Sequence, residues 1–278
     1  AADLLSGVHE SSGGVDGWVS VEVSPALAHD TEGTIEAARE LSRNLALDNL
    51  YVKVPATAEG IEAIRVLTSE GIPVNVTLIF GLERYADVIE AYLSGLEAHK
   101  GTLSHISSVG SFFISRVDTE VDRRLAEVGT DDALDLLGTA AITQGKLAYQ
   151  LAMTAFSGSR WDALEERGAK LQRPLGASTS TKNPDYPDTY YVDSLIGPNT
   201  VNTLPEATLE AFDDHGNLVS TLGASPEADQ KRWEQLGELV DLDEVSAKLE
   251  AEGVASFATS FDDVLATLAE RVGPSVDG

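Results

Sequence analysis

Short apolar runs rich in β-branched residues alternate along this chain with longer stretches of helical pattern. The runs at 18–23, 51–54, 74–80, 106–113, 171–177 and 200–204 predict strands. The intervening patterns predict helices at 34–44, 60–70, 82–99, 116–126, 131–156, 205–212 and 227–272, with a short helix or turn at 190–195. This alternation predicts βαβ units and a parallel sheet, either open and doubly wound or closed into a barrel.

The order of strands and glycines favours a barrel over a dinucleotide-binding sheet. No predicted strand is followed by a GxGxxG turn or a P-loop. We therefore predict an α/β fold and favour a barrel, although a TIM (β/α)8 barrel needs eight βα units and about six are predicted here. This interpretation places residues 1–278 in one barrel domain, with C-terminal helices at 227–278 packing on the barrel. The turn-rich stretch 178–188 has the length of a functional loop.

Composition excludes several classes of function. The chain has no cysteine, which excludes disulfides, thiolate metal sites and cysteine nucleophiles. Nineteen basic and 46 acidic residues give a net charge of −27, so we expect neither nucleic acid nor an anionic membrane as a partner. The same charge repels small anionic substrates unless a local basic pocket overrides it. The five histidines are scattered without metal-ligand spacing, and we expect no metal site.

Polar residues recur on one face of three successive predicted strands. Side chains alternate between the two faces of a strand, so the face that carries the valines of these strands packs against helices. That face includes Val74, Val76 and Leu78 in the third strand. The opposite face points into the barrel, which apolar layers normally fill. Four inward polar residues break this rule together and indicate a functional site, namely Glu22, Lys53, Asn75 and Thr77.

Lys53 is the most informative of the four. Of seven lysines, it alone lies within a β-branched strand. A buried ammonium group must find a partner or lose its proton, and a neutral amine is the nucleophile that forms a Schiff base with a ketone. Two interpretations stay open at this point, because Lys53 could equally form a buried ion pair with Glu22.

Five segments, in this order, resemble the transaldolase family. They are VSVEVSP at 19–25, LYVKVPATAEGIEAIRVL at 50–67, GIPVNVTLIFG at 71–81, SFFISRVD at 111–118 and RPLGAS at 173–178. The longer stretch from Ser178 is most similar to the bacterial branch with extended C-terminal helices. The resemblance covers nearly the whole chain, and five ordered motifs make it more specific than any one of them.

The resemblance implies a TIM-barrel aldol transferase that works without a metal or an organic cofactor. Such enzymes move a dihydroxyacetone unit from a ketose phosphate, such as sedoheptulose 7-phosphate, to glyceraldehyde 3-phosphate in the pentose phosphate pathway. Lys53 would then carry the Schiff base, and Glu22 and Thr77 would hold the water used to form and hydrolyse it. Asn75 and Ser111 would bind substrate hydroxyls. The phosphate group would be bound by Arg116, Ser178 and Lys182.

The chain departs from the family pattern at its start. In the family, two strands precede the glutamate strand, and the first of them carries the aspartate that acts as general acid in C–C cleavage. This chain begins after both, with no initiator methionine, in what resembles the end of a helix. A truncated sequence, a second chain that supplies the missing strands, and a non-catalytic relative all remain open, and we favour truncation.

Two further alternatives remain open. One is a fructose-6-phosphate aldolase-like enzyme that uses free dihydroxyacetone. The other is a non-catalytic scaffold, which the inward polar residues argue against. We expect phosphorylated sugars as substrates, a cytoplasmic protein, and either a homo-oligomer or a complex with the chain that completes the barrel.

Overall fold

Six parallel strands form the centre of the molecule, in the order in which they occur along the chain. The computed structural model describes residues 1–272. The strands are β1 (Val19–Glu22), β2 (Leu50–Pro55), β3 (Val74–Ile79), β4 (Ser108–Phe113), β5 (Arg173–Ala177) and β6 (Val201–Asn202). Within residues 1–272, β1 and β6 are the two edges of the sheet. The sheet is a curled half-barrel, which confirms the predicted partial (β/α)8 architecture.

Twelve helices in the described part of the chain surround this sheet. The first six are α1 (Ala2–Ser11), α2 (Thr31–Leu45), α3 (Ala58–Ser69), α4 (Leu82–Ala98), α5 (Ser115–Val128) and α6 (Asp131–Leu134). The others are α7 (Ala140–Ala155), α8 (Ser159–Glu165), α9 (Tyr190–Ser194), α10 (Glu206–His215), α11 (Pro226–Leu239) and α12 (Leu242–Val272). None of the helices in residues 1–272 combines the length and apolar composition needed to cross a bilayer.

The core lies between the valine face of the strands and the helices that follow them. Val52, Val54, Val74 and Val76 are at most 1% exposed, as the alternation pattern predicts. Helix α2 begins after Asp30 and α3 after Thr57, whose side chains accept hydrogen bonds from backbone N–H groups in the first turn. These caps fix where each helix leaves the end of the preceding strand.

Three predicted elements differ from the structure, and one of them is the helix expected at 227–272, which is divided into α11 and α12. The helix expected at 131–156 is interrupted, because Gly138 takes a left-handed φ of 72° between α6 and α7. A side chain at this position would also overlap the ring of Tyr186. The strand expected at 200–204 is reduced to Val201–Asn202 at the edge of the sheet.

Candidate active site

Glu22, Lys53 and Asn75 lie side by side on three neighbouring strands. Glu22 is the register partner of Lys53 in the β1–β2 pair, and Lys53 is the register partner of Asn75 in the β2–β3 pair. Because register partners in a parallel sheet point to the same face, the three side chains form one polar row. We call Glu22, Lys53 and Asn75 the register row. Lys53 Nζ lies 3.7 Å from Glu22 Oε2.

The amine of Lys53 is only partly shielded from water. Its side chain is 24% exposed and that of Glu22 is 28% exposed, so the amine is half-buried. The ring of Phe257 on α12 lies over the amine, with its centroid 5.1 Å from Nζ. Burial raises the pKa of Glu22 above its usual value, although the charge of Lys53 partly opposes that rise. A long ion pair at a half-open site leaves the amine able to meet a ketone.

A buried hydrogen-bond chain holds Asn75 in one orientation. Ser111 Oγ donates to Asn75 Oδ1 at 2.7 Å, and Asn75 Nδ2 donates to Ser20 Oγ at 3.0 Å. Ser111 is 3% exposed and Asn75 is 7% exposed. The structure therefore brings Ser111 on β4 into contact with the register row, and it adds Ser20, which sequence reasoning missed.

Thr77 follows Asn75 on the same face of β3 and is completely buried. Its Oγ1 has no hydrogen-bond partner in the described part of the protein. A buried hydroxyl without a partner is costly, and a bound water or ligand would satisfy it.

The next residue, Leu78, interrupts the regular geometry of β3. Leu78 has a left-handed φ of 59° at a shift in the β3–β4 register, so it leaves the regular alternation of the strand. It packs beside Gly253 of α12, where an added Cβ would lie 2.9 Å from Leu78 Cδ2. Because leucine rarely adopts a positive φ, nothing in the sequence marks this position.

Ser178 contacts Ser115, the residue before Arg116, at the start of α5. The backbone N–H of Ser115 donates to the carbonyl of Ser178 at 3.0 Å, and the two serine hydroxyls are also 3.0 Å apart. Arg116 is the next residue, and its guanidinium carbon lies 5.5 Å from the centroid of the Phe113 ring. Arg116 forms no ion pair within residues 1–272, which leaves its guanidinium available to an anion.

Within residues 1–272, Lys182 forms no hydrogen bond or ion pair with another candidate residue. It is exposed, and its amine donates to Ser180 Oγ at 2.9 Å. It lies on the loop that begins at Ser178, so a change in that loop would move both residues. Sequence reasoning also missed Phe257, since no local pattern connects a residue of α12 with a strand 200 residues earlier.

Residues 1–272 contain no group of three or more acidic or histidine side chains arranged to hold a metal ion. The polar groups that meet at the end of the sheet are instead an amine, a carboxylate, an amide and hydroxyls. Such a set is suited to covalent chemistry on a carbonyl compound, with proton transfer by the carboxylate.

Comparison with known proteins gives a consistent result over the whole chain. The family model described as "Transaldolase/Fructose-6-phosphate aldolase" matches residues 1–268. "Transaldolase 1" of Streptomyces avermitilis is 49% identical over an alignment that covers 100% of this chain and 75% of the relative. "Transaldolase" of Frankia alni is 49% identical over 99% of this chain and 76% of the relative. "Transaldolase" of Mycolicibacterium smegmatis is 48% identical over 95% of this chain and 73% of the relative.

Proposed function

Because this chain belongs to the transaldolase/fructose-6-phosphate aldolase family, we propose that it transfers a dihydroxyacetone unit between phosphorylated sugars through an imine on Lys53. The observation that carries the proposal is the register row, in which a carboxylate and an amide flank the amine on adjacent strands. The curated relatives that carry the name transaldolase support transfer as the overall reaction.

The first half of the reaction attaches the donor ketose to Lys53 and cleaves one of its C–C bonds. The neutral amine of Lys53 attacks the ketone carbon of a ketose phosphate, and loss of water leaves an iminium ion. The iminium withdraws electrons, so the C–C bond beyond the adjacent carbon breaks. The neighbouring hydroxyl gives its proton to water as an aldehyde leaves. The electron pair of the broken bond forms the C=C bond of an enamine that stays attached to Lys53.

The second half reverses these steps with another aldehyde. The enamine carbon attacks the acceptor carbonyl, which takes up a proton to become a hydroxyl, and the iminium forms again. Water then adds to the iminium and releases the new ketose with the free amine. Glu22 and the unpartnered hydroxyl of Thr77 are suited to hold this water and move its protons.

The remaining candidates bind the rest of the sugar. Asn75 and Ser111 present an amide and a hydroxyl beside the amine, and sugar hydroxyls can replace or extend their mutual hydrogen bond. Arg116, Ser178 and Lys182 would bind the phosphate, since a guanidinium group and hydroxyls are good partners for phosphate oxygens. This local positive charge is what an anionic substrate needs on a chain of net charge −27. We also propose that the protein works in the cytoplasm, in keeping with its lack of cysteine.

A coupled assay with sedoheptulose 7-phosphate and glyceraldehyde 3-phosphate tests the proposal. We expect erythrose 4-phosphate and fructose 6-phosphate to form together, and Lys53→Arg to abolish both. Release of free dihydroxyacetone from fructose 6-phosphate without an acceptor would indicate the aldolase alternative instead. Because the family's general-acid aspartate precedes this chain, we expect an imine to form more readily than products. Absence of both reactions together with absence of a borohydride-trapped adduct on Lys53 would contradict the proposed activity.

A further inference from the structure

Hydrogen bonds at two places attach the loop from Ser178 to Asp188 to helix α5. At its start, the carbonyl of Ser178 accepts from the N–H of Ser115 in the first turn of α5. Near its end, Tyr186 OH donates to Asp122 Oδ2 at 2.9 Å, about two turns further along the same helix. Arg116 lies between Ser115 and Asp122 in the sequence, so the same helix carries the guanidinium group and both residues to which the loop is attached.

Asp122 is itself fixed by the backbone. Its Oδ1 accepts from the N–H of Gly138 at 2.8 Å, so both of its carboxylate oxygens have partners. Gly138 has a left-handed φ of 72°, and a Cβ added there would lie 2.7 Å from the ring of Tyr186. Glycine is required here because the tyrosine ring lies directly against the backbone.

The hydrogen bonds inside the loop leave Lys182 at its exposed centre. Thr181 Oγ1 donates to the carbonyl of Pro187 at 2.8 Å, which closes the loop on itself. Lys182 therefore moves with a small closed unit whose attachments to α5 are Ser178 and Tyr186. Within residues 1–272, Tyr186 contacts Asp122, Gly138, Asn183 and the ring of Tyr190, and it forms no hydrogen bond or ring contact with the register row.

We propose that Tyr186 and Asp122 are positioning residues for phosphate binding: their hydrogen bond holds the 178–188 loop beside Arg116, so that Lys182 and Ser178 act on the phosphate end of the sugar. This inference rests on the proposed function. It assigns the pair no role in the chemistry at Lys53. The hydrogen bond acts on the bound phosphate only through the position of the loop.

The test compares a phosphorylated and an unphosphorylated ketone at the same lysine. Fructose 6-phosphate and free dihydroxyacetone are each trapped on the full chain with borohydride, and the concentration giving half-maximal adduct is measured for both. In Tyr186→Phe, which keeps the ring against Gly138, we expect this concentration to rise about threefold to tenfold for fructose 6-phosphate, as loss of one hydrogen bond predicts. The value for dihydroxyacetone is expected to stay unchanged. Asp122→Asn should show the same selective loss.

Tyr190→Phe is the matched control. It removes a hydroxyl that donates to the carbonyl of Gly138 at 3.0 Å, at the same turn but outside the loop, and we expect it to affect neither ketone. An equal change for both ketones in Tyr186→Phe, or no change for fructose 6-phosphate, would overturn the inference. Absence of any adduct in the unmodified chain would instead contradict the proposed function itself.

Discussion

Glu22, Lys53 and Asn75 lie in one register row on neighbouring strands, whereas Ser178 and Lys182 lie on a loop that side chains hold in place. The first group is positioned by backbone hydrogen bonds of the sheet, which depend little on individual side chains. The second depends on particular contacts, such as the one between Tyr186 and Asp122. Chemistry at the amine should therefore be sensitive to the register row and to Thr77 beside it, and phosphate recognition to residues well outside the site.

Glu22→Gln should have the largest effect, because it removes the proton-transferring group beside the amine without changing its shape. We expect the rate at which dihydroxyacetone forms its adduct on Lys53 to fall about 100-fold or more, as loss of a general acid–base predicts. Rapid-quench borohydride trapping measures this rate. Asp16→Asn, on the exposed turn before β1, is the control. An unchanged rate in Glu22→Gln would remove the carboxylate from the mechanism.

Arg116→Gln should separate the two regions. We expect the half-saturating concentration of fructose 6-phosphate to rise roughly tenfold to 100-fold, because a charged hydrogen-bond donor to phosphate is lost. Trapping of dihydroxyacetone should not change. Arg123→Gln on the same helix removes a guanidinium group that pairs with Glu120 and Glu127, and it should alter neither value. A parallel loss of dihydroxyacetone binding in Arg116→Gln would mean that the two regions are not independent.

The buried carboxyl group of Asp118 gives the loop-bearing region a pH dependence of its own. Burial raises the pKa of Asp118 to about 7. The hydrogen bond that its Oδ1 accepts from the backbone N–H of Ala141 partly opposes this rise. Since the pKa in the unfolded chain is about 3.9, the folded state binds an extra proton between these values. Asp118 therefore contributes stability that is fully present below about pH 4 and is lost as the pH rises toward 7.

Asp118→Asn should remove this dependence while keeping an acceptor for Ala141. Relative to the unmodified chain, we expect its free energy of unfolding to increase between pH 4 and pH 7, by at most about 1.4 kcal/mol per pH unit. Urea unfolding at several pH values measures the difference between the two proteins. A difference that is constant across this range would show that Asp118 does not titrate as described.

Ser111→Ala should produce the smallest change. It removes the donor to Asn75 Oδ1 but leaves the bond from Asn75 to Ser20, so we expect a loss of about 1 kcal/mol in the free energy of unfolding. Urea denaturation measures it, and Ser108→Ala on the other face of β4 serves as a comparison, since Ser108 donates to the carbonyl of Val74. Because the sheet positions the register row, we expect borohydride to trap dihydroxyacetone on Lys53 in both variants.

The same contrast explains how much the sequence could predict. Period-two alternation and parallel pairing are regular, so the shared face of Glu22, Lys53 and Asn75 follows from the strand patterns alone. The left-handed Leu78, the interruption at Gly138 and the contact of Phe257 with Lys53 depend on tertiary packing. Helical periodicity predicted one helix across Gly138, because a local sequence pattern contains no information about the tertiary contact between Gly138 and the ring of Tyr186.

Borohydride reduction with dihydroxyacetone, followed by peptide mapping of the adduct, tests the central claim most directly. The account predicts a single reduced adduct on the peptide that carries Lys53, none on the other six lysines, and none in Lys53→Arg. An adduct that maps to Lys182 or another lysine, or a chain that gives no adduct with either ketone, would contradict it.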